Sequence, residues 1–137
     1  MNVTNMVHPG AEQAATFFAG EEDGPFVMVN LLKFKAHAEY PDGSDAHLTG
    51  AEAYLRYGMA VREHIKAVGG KAGYAGPVTG LLLGEVEDLW DMVALAEYPS
   101  RAAMMAMVGN PDYQEIARHR TAGLAGQLNI RTKGTLG

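Results

Sequence analysis

Four groups of residues have the type and setting to do chemistry. Asn30 interrupts an otherwise apolar run, Phe26-Val27-Met28-Val29-Asn30-Leu31-Leu32-Lys33-Phe34. A buried amide without hydrogen-bond partners costs about 1–3 kcal/mol, so Asn30 is either a structural tie or part of a site. Trp90-Asp91 heads a second apolar run, and strand alternation sends the two side chains to opposite faces. The indole either fills a core or stacks on a planar ligand, and Asp91 reads as an ion-pair or capping partner. His119-Arg120 closes a helical stretch, where cations complement the helix dipole. Turned inward, Arg120 would instead pair with Asp91 or hold a carboxylate bidentately. Tyr54 and Tyr57 lie about one helical turn apart: Tyr54 reads as core, whereas Tyr57, beside His64, is placed to reach a cavity mouth.

Other chemistries lack their residues. Gly69-Gly70-Lys71 is missing the upstream glycine and the following Ser/Thr of a phosphate loop. There is no Gly-x-Ser-x-Gly elbow, and with no cysteine there is no thiolate nucleophile, disulfide or Cys-based zinc site. His37, Asp42, Asp45 and His47 share one stretch, but loop acids and histidines of this kind read as solvated groups, so no metal is expected. The residues call for no cofactor.

The elements that must position these groups are legible from spacing. Pro9 and Gly20 bracket a short helix over 11–19, and the acidic stretch 21–24 leads into a strand over 26–34. The connection 35–49 is unusually long and reads as either a lid or an arm that packs on a partner subunit. Thr49-Gly50-Ala51-Glu52 is a capping box for the longest helix, about 50–68. An extended region over 71–86 carries Gly76-Pro77, which requires a bulge or a sheet edge, so it reads as a bent strand or a hairpin-like pair near 72–76 and 79–85. A strand over 90–98, helices over 100–108 and 111–122, and a strand over 124–132 follow.

The order strand, helix, strand, strand, helix, strand is the ferredoxin-like split βαβ arrangement, an α+β fold with helices on one face of an antiparallel sheet. Phe26, Met28, Asn30, Leu32 and Phe34 occupy one face of the first strand, and Val27, Val29 and Leu31 the other. Helices can cover only one face, so a second subunit is expected on the other, and a homodimer follows.

At 137 residues the chain reads as one domain, 1–137, with its core over about 24–132. A net charge of −5 argues against nucleic acid as a partner. No apolar run approaches the ~20 residues that span a bilayer, and the N-terminus lacks an export signal, so no membrane partner and a cytoplasmic location are expected.

Several motifs together resemble the DUF1330 family, in its longer form with an N-terminal helix. They are Pro25-x-x-Met28-x-Asn30-Leu31-Leu32-Lys33-Phe34, Ala38-x-Tyr40-Pro41, Glu52-Ala53-Tyr54-x-x-Tyr57-Gly58 and Gly69-Gly70. Trp90-Asp91, Tyr98-Pro99-Ser100, Pro111-x-Tyr113 and His119-Arg120-x-Ala122-Gly123-Leu124 continue the series to about residue 132. The resemblance implies the dimeric α/β-barrel superfamily, a homodimer with a cavity and no fixed activity. Relatives there include cofactor-independent monooxygenases, muconolactone isomerases, EthD-like proteins and heme-dependent chlorite dismutases, so an activity carried over would be fold-level analogy.

Two readings follow. In the first, a cofactor-independent oxygenase or isomerase-like enzyme uses Asn30 to stabilise an oxyanion and Arg120 or His119 to bind an acidic group or move a proton. Trp90, Tyr57, Asp91 and Met28 would contact the substrate. In the second, the dimer holds a metabolite without turnover. Heme binding would need His119 or His64 to face inward.

Overall fold

The computed structural model describes residues 1–20 and 23–137. The acidic connection over 21–24 therefore falls partly outside the described residues, at Glu21 and Glu22. The elements run α1 (Ala11–Phe18), β1 (Phe26–Phe34), α2 (Gly50–Ala67), β2 (Lys71–Pro77), β3 (Met92–Tyr98), α3 (Arg101–Val108), α4 (Pro111–Gly123) and β4 (Leu124–Lys133). All strand pairs are antiparallel, in the order β2-β3-β1-β4. This is the ferredoxin-like arrangement.

Local chemistry accounts for the boundaries. The Thr49 hydroxyl accepts from the Glu52 N–H while the Glu52 carboxylate accepts from the Thr49 N–H, so the capping box closes in both directions. Ser100 caps α3, and Asn110 caps α4 with Pro111 at its first position. Gly76-Pro77 lies at the end of β2, an edge strand whose register shifts between Ala72 and Ala75. A proline without an N–H is tolerated there because an edge has a row of unpaired positions. No second strand forms over 79–85. The chain from 78 to 91 is an irregular connection, returning where Val78 N–H donates to the Asp91 carbonyl.

The helices lie on the face carrying Phe26, Met28 and Leu32. One core cluster joins Phe26 and Met28 to Val61, Ile65, Tyr98 and Met107. A second joins Leu32 to Tyr54 and Leu124, and Tyr57 packs against both. Removing apolar surface from water at roughly 25 cal/mol per Å² is what holds the helices on the sheet. The other face presents Val29 paired to Leu95 and Ile130, and Leu31 paired to Val93 and Leu128. Five of these six are half-buried and Ile130 is 45% exposed, so this face is an apolar row without helices over it.

The long connection 35–49 folds back on its own chain. Ala38 and Tyr40 are buried with Ala53 and Ala122, and Glu39 N–H donates to the Ala122 carbonyl. Beside it, α2 and α4 meet backbone to backbone. A Cβ on Gly50 would stand 2.2 Å from the Lys35 carbonyl oxygen, and one on Gly123 would stand 2.4 Å from the Gly50 carbonyl oxygen. Glycine is required at both positions for that approach.

Candidate functional site

The sheet delivers Asn30 to the helix-covered face at the centre of β1. Its register partners there are Ala94 on β3 and Asn129 on β4. Its Nδ2 donates to the Ala94 carbonyl at 3.1 Å, and its Oδ1 accepts from Gln127 Nε2 at 2.7 Å. Gln127 is 8% exposed, and its Oε1 accepts from Arg120 Nη2 at 2.7 Å. Arg120 stands in the last turn of α4, four residues before β4 begins at Leu124. The result is one polar chain, Arg120 to Gln127 to Asn30 to the Ala94 carbonyl, running from a cation into the middle of the sheet. Every amide in it is satisfied, which a polar group at this depth requires.

Among the described residues no carboxylate lies within 4.0 Å of Arg120. Its two bonds, to Gln127 and to the Val7 carbonyl at 2.6 Å, both leave from Nη2 and both end on neutral oxygens. A guanidinium has five N–H donors in a planar fork, so donors remain for an anion. The N-terminal stretch extends this contact. Met6 N–H donates to the Gln127 carbonyl at 3.2 Å, and the Trp90 indole N–H donates to Asn5 Oδ1 at 2.9 Å. Trp90 itself is half-buried.

Beneath the helices runs an aromatic series. The Tyr57 and Tyr113 hydroxyls are 3.0 Å apart, Tyr54 packs between Phe34 and Tyr57, and His64 meets the Tyr113 ring edge-on. Burial pushes the Tyr54 phenol up to about 12 and holds those of Tyr57 and Tyr98 well above the ordinary value. These phenols stay protonated at neutral pH, so they serve as hydrogen-bond donors rather than bases. Met28 is 4% exposed within the core.

The structure does not bring every anticipated residue to this chain. His119, one position from Arg120, lies in a different cluster: its Nδ1 is 2.6 Å from the Tyr40 hydroxyl, which also accepts from Arg56 at 3.4 Å. Arg56 in turn pairs with Asp45 at 2.9 Å. Burial first, then the neighbouring Arg118 and Arg56 cations, lower the His119 pKa and favour its neutral form. Asp91 does not meet Arg120 either. Its carboxylate accepts from the Phe34 N–H at 2.9 Å and faces Lys33 Nζ at 3.4 Å, bracing β3 against β1. Lys33 also reaches Asp88 at 2.8 Å, and that bond is the main reason its pKa is raised.

Two contributors had escaped the sequence reading. Gln127 sits between Gly126 and Leu128 in β4, where nothing local distinguishes it from an ordinary polar strand position. Residues 5–7 carry no periodic pattern, yet they bond to Trp90, Gln127 and Arg120. Among the described residues no group of three or more His, Asp or Glu is placed to hold a metal, and no helix is long and apolar enough to cross a membrane.

The chain is similar to the RPA0582 protein of Rhodopseudomonas palustris, a protein of unknown function. Its crystal structure aligns at 36% identity over 98% of this chain and 100% of that one, with a TM-score of 0.84. The methylated form of RPA0582 aligns at 38% identity over 97% of both chains, with a TM-score of 0.86. A dabb family protein with a ferredoxin-like fold from Mesorhizobium loti shares the fold at 14% identity, over 82% of this chain and 98% of that one, with a TM-score of 0.50. Among curated proteins none matches. The profile of the domain of unknown function DUF1330 matches residues 44–132, well over half the sequence, and the chain belongs to the DUF1330 family.

Proposed function

We propose that this protein is a homodimer that binds a small anionic metabolite at the end of the Arg120–Gln127–Asn30 chain. The observation that carries this reading is Arg120, a half-buried cation that, among the described residues, contacts only neutral oxygens. Charge-assisted bonds to a carboxylate are roughly twice as strong as those to a neutral carbonyl, so an anion is the favoured occupant. Trp90, whose indole bonds Asn5 two residues from the Val7 carbonyl on Arg120, offers an aromatic face. The apolar row Val29, Leu31, Val93, Leu95, Leu128 and Ile130 supports the second subunit, since a stable interface buries on the order of 1,000 Å² or more and this face has no other cover.

A catalytic reading stands beside this one, supported by Asn30. Its Nδ2 uses one hydrogen for the Ala94 carbonyl, and the other would stabilise an enolate or alkoxide oxygen in an oxygenase- or isomerase-like reaction without a cofactor. Binding without turnover is favoured because, among the described residues, no histidine bonds to the Arg120–Gln127–Asn30 series; His119 is held by Tyr40. Native mass spectrometry of gently purified protein tests the proposal. A dimer carrying an acidic small molecule, lost in Arg120→Ala, is expected. A stable monomer would sink the dimer, and undiminished retention in Arg120→Ala would sink the site.

A further inference from the structure

We infer that residues 5–7 form a strap that occupies the Arg120 site as a tethered stand-in for a small carboxylate, and that the ligand must displace it; this rests on the anion-site reading above. The strap answers the donors of the site with oxygen. Asn5 Oδ1 accepts from Trp90, and the Val7 carbonyl accepts from Arg120. Two residues of extended chain span at most about 7 Å, the reach of a small molecule with an acceptor at each end. Between them, Met6 N–H donates to the Gln127 carbonyl on the free edge of β4.

The strap fits closely but is lightly held. A Cβ on Gly126 would stand 2.7 Å from the Asn5 Cβ, so the absence of a side chain at 126 is what lets the strap lie down. Yet Asn5 and Met6 remain exposed, and Val7 alone packs on the Leu32–Tyr54–Leu124 cluster. Releasing three hydrogen bonds to water is a small loss, because water replaces most of what each one gives. A carboxylate on the guanidinium fork recovers more at Arg120 than the Val7 carbonyl gives. The site thus stays closed when empty and opens to an acidic ligand.

Benzoate, with benzamide as its neutral match, probes this in the full chain. Trp90 is the sole tryptophan, so its emission reports the strap directly. Met6→Pro removes the N–H that pins the strap to β4. Gly126→Ala sets a methyl group against Asn5 and lifts the strap from its other end. Benzoate should bind Met6→Pro and Gly126→Ala about tenfold tighter than the native chain, because the open fraction rises, with benzamide indifferent throughout. Arg120-dependent benzoate binding that is equal in the native and loosened chains would overturn the strap while leaving the site. Benzoate binding that survives Arg120→Gln, or is absent even from Met6→Pro, would overturn both.

Discussion

Gln127 Nε2 lies 2.7 Å from Asn30 Oδ1, and at the other end of the same amide Gln127 Oε1 accepts a hydrogen bond from Arg120 Nη2. One side chain thereby sets the orientation of two others: the Asn30 amide cannot flip without facing donor to donor, and the Arg120 fork is held at β4. Gln127→Leu keeps the volume but strands both neighbours. It should cost about 1–3 kcal/mol of stability in chemical denaturation, the usual penalty for a buried polar group losing its partner. Asn30→Ala, which spares Arg120, should weaken anion binding less than Arg120→Ala does.

The His119 cluster predicts an acid-sensitive fold. Because the folded-state pKa lies below the ordinary value, the unfolded chain binds the proton more readily. Stability is then fully present above the unfolded pKa of about 6.5 and falls as pH drops below it. Thermal unfolding between pH 7 and 5 should show this decline, and His119→Gln should flatten it. An unchanged slope in the variant would assign the decline to other groups.

The buried phenols predict the opposite limb. Tyr54, Tyr57 and Tyr98 are raised above their ordinary 10.0 by burial, so the fold favours their neutral forms. That contribution is complete below pH 10 and is lost as pH climbs toward the folded values. Ultraviolet titration of the six tyrosines should show a group that ionises late, with unfolding accompanying it.

The uncovered sheet face predicts assembly. A charge at its centre, as in Val29→Arg or Leu95→Arg, should give a monomer in light scattering. The same substitution at exposed Leu55 on α2 should leave assembly unchanged. If Leu95→Arg stayed dimeric, the interface would lie elsewhere.

The fold was largely legible because its signals are local and redundant. The strand over 26–34, both helix caps and the proline breaks each combine a periodic pattern with a start or stop residue. The two-faced apolar strands also indicated a missing cover. The site was legible in part. Asn30 and Arg120 stood out as an amide in an apolar run and a cation at a helix end. What joins them, Gln127, is separated from Asn30 by 97 residues, and nothing in its own neighbourhood marks it. Residues 5–7 were opaque for the same reason: their order comes from partners distant in sequence. Asp91 makes the ion pair expected of it, whereas the Tyr40 partner of His119 was opaque, because spacing along the chain does not tell which of several partners a polar group meets.

The contact between Gly50 and Gly123 has a mechanical consequence. Two helices whose backbones touch have no soft side chains between them to yield, so α2 and α4 are coupled at that end like plates riveted at one point. Access to Asn30 by spreading these helices would mean breaking the rivet, whereas lifting three residues off an edge strand does not. Gly123→Ala should therefore destabilise the protein by about 1–3 kcal/mol through overpacking.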